Sequence, residues 1–368
     1  MTYMNEIELN LPADFCQNVF NECTASIESS TSFNLIGLPS VGISFFMRFL
    51  SSHSKYKFVH VNTYEMPEFT KEEFFKQFAR KVSGKNGNKD YLLKCREGLE
   101  ELAHQNSHVV IVINRIDRLA GIMDQNFFDN LRYLRDTNRK KIIFIFISST
   151  PLHELDKHLS QSAFAMQTKQ IFFKTYSKQD LLALSMIDGT PLVKDKALEL
   201  CGGHHSLFQT LLRCQSLDNP LSDQMVELVI KEIYLSQNAK RRDQLEALAL
   251  RKKVDNLDYL IELGLVRKKG NKYEFFSELL EKYLLHSVRA ELPVKEKRLL
   301  KILLKNQGKI VSKQDIFDYV WGDEIASDWS LNSLVYRLRR NPGFDSNRYS
   351  IKSVKKDGYE LIDSFKNI

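Results

Sequence analysis

The sequence predicts an α/β fold, a parallel sheet covered by helices with a helical lid, followed by two winged-helix domains. Three observations predict it. Four short β-rich apolar runs and a fifth behind them alternate with helix-like segments over residues 1–176, and strands separated by helices pair in parallel with both faces buried. The apolar spacing then shifts to every third or fourth residue, the period of helices that bury one face. The remaining two segments each combine short helices with one tight hairpin.

The strands are FNLIG ending at Gly37, YKFVHVNT ending at Thr63, HVVIVINRID ending at Asp117, KIIFIFISST ending at Thr150, and KQIFFKTYS. Helices are expected over residues 43–52, 71–82 with 89–104, 124–135, and briefly near His153. DLLALSMI and SDQMVELVIKEIYL carry the helical period, so residues 177–235 are expected to form the lid. Residues 236–288 read as a first winged helix: a helix, a turn at Gly264, two strands about a Lys-Gly-Asn turn, and another helix. Residues 289–368 read as a second, with an amphipathic helix, a helix through Trp321, a helix through Arg340, and a hairpin at Asp357-Gly358.

A chain of 368 residues with 43% hydrophobic and 27% charged residues is long enough for two or three globular cores, and its low Gly and Pro content argues against long disordered tails. The net charge of +7 decides nothing by itself. Residues 289–368, however, hold 16 basic against 11 acidic side chains and so carry most of the excess, which favours a nucleic-acid partner for that stretch. Five cysteines without a C-x-x-C pair point to free thiols in a reducing compartment rather than to metal ligation, and no metal is expected. No apolar run approaches the length of a membrane span and the N-terminus lacks the pattern of a secretory signal, so a cytoplasmic protein with no membrane partner is expected.

After the first strand comes GLPSVGIS, which has the glycines of G-x-x-x-x-G-K-[ST] at Gly37 and Gly42 and the hydroxyl at Ser44, but Ile43 where lysine belongs. In a working loop the backbone N–H groups cradle phosphate, the lysine neutralises it, and the hydroxyl ligates Mg²⁺. The third strand should end in acidic residues that hold Mg²⁺ and orient water. It ends instead in Asn114 and Arg115, with only Asp117 acidic. This layout resembles the AAA+/STAND group of P-loop ATPases, in the branch related to replication-origin ATPases, over roughly residues 33–285. Further marks are the polar end of the fourth strand (Ser148, Ser149, Thr150), similar to a sensor position, and GGHHSLFQTLLRC, similar to the lid's Gly-Gly-His-Pro segment with His205 in place of proline. The ELGL and FFS stretches also match that family's winged helix. The resemblance implies a P-loop fold; the losses at three catalytic functions imply that it does not hydrolyse ATP. Gly37, Gly42, Ser44, Asn114 and Asp117 are the candidate nucleotide contacts. No cofactor is expected, although the loop amides and Ser44 keep the means to hold ATP or ADP without turnover.

On a helix starting near Asp328, Leu331, Leu334, Val335 and Leu338 form one apolar stripe, while Trp329, Asn332, Ser333, Tyr336, Arg337 and Arg340 point away from it. Such a face offers Asn for adenine, Arg for guanine and hydroxyls for phosphate in a major groove. The hairpin adds Lys352, Lys355 and Lys356 beside its turn. LPVKEKRLLKILLKNQGKIVSKQDIFDYVWGDE, SDWSLNSLVYRLRR and RYSIKSVKKDGYEL resemble, in order, the first half, recognition helix and wing of the OmpR/PhoB-type effector domain. The family usually has glycine where Lys356 stands, a helix continuing past Asn341-Pro342, and a four-stranded platform before the residue at Leu292. The resemblance implies a double-stranded DNA partner and a transcription regulator, and the paired winged helices suggest that a homo-oligomer, dimer or tandem, binds repeated half-sites. Two alternatives stay open: a slow ATP-dependent switch that controls DNA binding, and a signalling or defence scaffold whose basic wing meets an acidic protein surface.

Overall fold

The computed structural model describes residues 11–84, 90–155, 168–184, 191–214, 216–270, 272–290, 293–322, 324, 326–341, 344, 349–354 and 357–363. The chain falls into two compact units, residues 1–237 with 259–267, and residues 238–258 with 268–368.

The first unit is built on five parallel strands, β1 Phe33–Gly37, β2 Lys57–Asn62, β3 Val109–Asn114, β4 Ile142–Ser148 and β5 Lys169–Phe173, in the order β2-β3-β4-β1-β5. Alternate residues of one strand serve opposite faces. Val109, Ile111 and Ile113 of β3 join one large core, with Phe144 and Phe146 of β4, while Val110 and Val112 are equally buried on the other side. Helix α1 Gln17–Glu28 precedes β1, and α2 Ile43–Ser52, α3 Lys71–Ser83, α4 Tyr91–Gln105, α5 Gln125–Asp136 and the short α6 Leu152–Leu155 lie between the strands in sequence. Phe74, Phe78, Phe127 and Phe128 of α3 and α5 fill that large core. Their starts are set locally: the side chains of Thr70, Asp90 and Asp124 accept hydrogen bonds from the free N–H groups of the first turns.

The third strand stops at Asn114, three residues before the expected end. Arg115 is left-handed (φ 55°) and a 3-10 helix spans Ile116–Ile122, because the helix begins once β3 passes its partners' last paired residues. Behind β5 come α7 Lys178–Ala183, α8 Pro191–Cys201, α9 His205–Arg213 and α10 Gln224–Leu235. The expected helical segment is thus present. Residues 1–10, where the N-terminal reading began, lie outside the described residues.

Helix α11 Ala239–Ala249, the short α12 Asp258–Glu262, the two-stranded sheet of β6 Val266–Lys269 and β7 Lys272–Phe275, and α13 Glu278–Ala290 follow in order. In the second unit α14 Val294–Lys305, α15 Lys313–Val320 and α16 Asp328–Arg340 pack on a three-stranded antiparallel sheet, β8 Ile310–Ser312, β10 Gly358–Asp363 and β9 Tyr349–Val354, in the order β8-β10-β9. One core holds Leu299 and Leu303 of α14, Ile316 and Val320 of α15, the four apolar residues of α16, and Tyr359 and Leu361 of β10. Ser312 and Ser327 cap α15 and α16. Strand β8 was not expected. Its three residues, half exposed at Ile310, carry too short an alternation to be read.

Candidate functional site

Two places collect the candidate residues. The first is a cavity of about 320 Å³ at the carboxyl ends of β1, β3 and β4, where open α/β sheets bind ligands. Gly37, Gly42, Ser44 and Asn114 line it, together with Arg115 and Ser149. Asp117 does not. Its Oδ1 lies 3.3 Å from the Arg115 Nε and its Oδ2 accepts from the Ser149 hydroxyl at 3.4 Å. Asp117, in the 3-10 helix just past the strand, thus faces its own neighbours, ion-paired with Arg115 but with Oδ1 and the Arg115 Nε outside hydrogen-bond geometry.

The loop itself is tied down through its carbonyls. Pro39 O accepts from the His204 Nε2–H at 2.8 Å, Ser40 O from the Ser206 amide at 3.3 Å, and Gly42 O from the Tyr176 hydroxyl at 2.7 Å. His204 is fully buried, and its Nδ1 accepts from the Leu207 amide at 3.2 Å, which caps α9. One nitrogen accepting and one donating requires the neutral imidazole. Burial agrees, pushing His204 down to about 4, against the opposing effect of its bond to Pro39. His205 packs its ring 4.8 Å from that of Phe45, and burial lowers it to about 4 as well. Ile43 packs over Gly37: its Cδ1 lies 2.6 Å from the point where a Cβ on Gly37 would stand. Gly42 is left-handed (φ 108°), and a Cβ there would meet the Tyr176 ring at 2.8 Å.

The sensor-like Ser148 is likewise engaged. Its hydroxyl accepts from the buried Asn34 amide at 2.8 Å and donates to Thr150 O at 2.6 Å. Asn34, Tyr176 and His204 escaped the sequence reading. The GGHH segment was its only signal, and there His205 drew attention as the departure while His204 makes the bond.

The second place is the outer face of α16. Leu331, Leu334, Val335 and Leu338 are buried, as their spacing requires, and Trp329 and Tyr336 are 77% and 54% exposed. The Arg340 guanidinium lies 4.7 Å from the Tyr336 ring centre. Asn332 accepts a hydrogen bond from the Tyr359 hydroxyl of the hairpin, and Ser333 is half-buried. Arg337 is exposed yet anchored: its Nε donates at 3.3 Å to Glu296 of α14, a side chain only 5% exposed whose other oxygen accepts from Asn341 at 3.0 Å. Arg339, which the sequence reading passed over, donates from Nη2 to Ile351 O and joins α16 to β9. Lys352 is exposed on β9 opposite Glu360. Lys355 and Lys356 lie outside the described residues.

A helix bearing exposed cations and aromatics, seated on a three-stranded hairpin sheet, is the form of a winged-helix transcription-regulator domain, and residues 288–361 match the family described as "Transcriptional regulatory protein, C terminal". The chain joins this OmpR/PhoB-type domain to a body with a P-loop ATPase fold. Within the same stretch it is similar to the transcriptional regulator HilA, 39% identical over 73 residues to that of Salmonella typhi and 38% to that of Salmonella typhimurium. The matched stretch is 20% of this chain and 13% of HilA. A Walker-type ATPase of Pyrococcus abyssi is similar in fold, with a TM-score of 0.51 at 16% identity over 73% of this chain and 95% of that one. Among the described residues no helix is long and apolar enough to cross a membrane, no group of His, Cys, Asp or Glu is arranged to hold a metal ion, and the five cysteines are free.

Proposed function

We propose that the chain is a DNA-binding transcription regulator whose P-loop-like unit no longer hydrolyses ATP and instead serves sensing, oligomerisation or partner docking. The observation that carries this reading is the face of α16. On a family-matched domain it exposes Trp329, Asn332, Tyr336, Arg337 and Arg340 on one side of a helix whose other side is locked in the core. In that reading α16 enters the major groove, Arg337 and Arg340 read base edges or phosphate, and Lys352 contacts the backbone beside the groove. Selection of bound duplexes from a randomised pool, followed by titration at several salt concentrations, tests it. A recovered motif and a steep fall of log affinity with log salt are expected; a purified chain that ignores duplex DNA at low salt would overturn the proposal.

The loss of turnover is supported by Ile43 packed over Gly37 and by the pairing of Asp117 with Arg115. Lysine, acidic strand end and water-orienting group each normally contribute orders of magnitude in rate. Mg-ATP turnover should therefore stay at background both in the wild type and after Ile43→Lys, which restores only one of the three; hydrolysis clearly above background in the wild type would favour an ATP-driven switch. The cavity of about 320 Å³ supports a second reading, nucleotide held without turnover. A shift of the first unit's unfolding temperature by ADP distinguishes it.

A further inference from the structure

We propose that the outer face of α14, with the adjoining end of α15, docks an acidic partner-protein segment that carries apolar side chains. At 3.6 residues per turn α14 has two opposite stripes. Glu296, Leu299, Leu300 and Leu303 are buried, and Glu296 reaches Arg337 and Asn341 at α16. Val294, Lys297, Arg298 and Lys301 lie on the other stripe, all exposed. With Asp318 and Tyr319 of α15 they line a groove of about 670 Å³.

Three cations face one carboxylate across this groove, and that carboxylate, Asp318, accepts from the Gln314 amide at 2.9 Å. Arg298 is pinned to the rim by a bond from Nη1 to Val320 O at 3.1 Å. Lys297 and Lys301 have no ion-pair partner among the described residues. Val294, 68% exposed, and Tyr319, 42% exposed, add apolar surface beside the charges. Charge of one sign with exposed apolar side chains complements an acidic segment bearing Leu or Phe. The same charge would suit phosphate, but this stripe is turned away from α16. The stripe of α14 that faces α16 is the buried one.

The inference rests on the proposed reading only in taking α16 as the DNA side, and failure of that reading shows separately as wild-type protein that does not bind DNA. The test uses the full chain and a fluorescein-labelled peptide of repeated Asp-Leu-Asp-Asp-Phe, read by anisotropy, beside titration of a duplex. The pair Lys297→Ala and Lys301→Ala should weaken peptide binding by about tenfold, Tyr319→Ala by about threefold, and both should leave duplex affinity within about twofold. A peptide with Ser in place of Leu and Phe should bind as weakly as the tyrosine variant does. Equal peptide affinity in wild type and double-lysine variant overturns the proposal. So does absence of wild-type peptide binding, and so does loss of duplex affinity in step with the peptide, which would make the face a phosphate contact. All three positions are exposed, and an unchanged unfolding temperature verifies that the variants are folded.

Discussion

The glycine loop and the recognition helix treat their polar groups in opposite ways. Around the loop the polar groups turn inward: three carbonyls are held by Tyr176, His204 and Ser206, Asp117 faces Arg115 and Ser149, and the sensor-like serine is held by Asn34. On α16 they turn outward, with Trp329, Tyr336 and Arg340 in solvent and Asn332, Arg337 and Arg339 fastened from behind. Under the proposed reading, a site that works on a ligand keeps groups free for it, whereas a fold without ligand chemistry turns them inward, because a buried unpaired polar group costs about 1–3 kcal/mol; the Arg115 Nε and Asp117 Oδ1, ion-paired but without a hydrogen bond, are the exceptions.

The comparison breaks most sharply if the outward-facing helix loses its seat. A Cβ on Gly358 would stand 1.9 Å from Val311 O and 3.0 Å from the Ser312 Cα, so Gly358→Ala forces β10 off β8 and displaces Tyr359 and Leu361 from the core. A cost of roughly 3 kcal/mol or more is expected. Both tryptophans, Trp321 and Trp329, belong to the second unit, so their fluorescence reports its unfolding alone. That transition should move to much lower denaturant while sequence-specific DNA binding disappears. An unchanged tryptophan transition would mean that the close approach at Gly358 relaxes without consequence.

The inward-facing loop gives the next effect, and it depends on pH. His204 titrates near 4 in the folded chain against an ordinary value of 6.5, so between those values the unfolded chain binds the proton that the folded chain refuses. Its contribution is complete above pH 6.5, falls as pH drops toward 4, and is constant below; integrated, the loss is about 3 kcal/mol. His205, also lowered by burial, acts in the same direction. Denaturant titrations followed by far-ultraviolet circular dichroism at pH 7 and pH 4.5 should show the first unit weakening in acid, and His204→Gln should reduce that dependence. If the substitution leaves the pH dependence of the wild type intact, the neutral clamp on Pro39 is not what holds the loop.

Most of the architecture was legible because it is written in period and spacing. The strands of the first unit are unbroken runs such as IIFIFIS that only a sheet buried on both faces accommodates, and the stripe of α16 follows from residues 331, 334, 335 and 338 alone. The site was legible as residue types at loop positions, not as partners. Gly37, Gly42, Ser44 and Asn114 do gather around one cavity, but Asp117 faces Arg115 because the chain turns left-handed immediately after β3. Contacts between residues 165 positions apart, as for His204 and Pro39, leave no local trace. Short β8 had too few residues to show a pattern.

The finest contrast concerns Glu296, a buried acid serving an exposed surface. It holds the Arg337 Nε and the Asn341 amide together, which fixes the direction in which Arg337 presents its remaining N–H groups. Arg337 is more than half exposed, so the pair contributes little to stability once solvent screening is counted; its effect lies in orientation. Glu296→Gln keeps the volume but replaces one of the two acceptors with a donor, which then faces either the Arg337 Nε–H or the Asn341 amide. Discrimination between a selected duplex and random DNA should fall by about 1–2 kcal/mol, near the value of one base contact, while affinity for random DNA and its salt dependence hold. Glu296→Asp, which keeps the charge at shorter reach, should recover part of the discrimination. If both substitutions instead weaken selected and random duplexes alike, Arg337 serves the phosphate backbone and the reading of bases passes to Asn332 and Arg340.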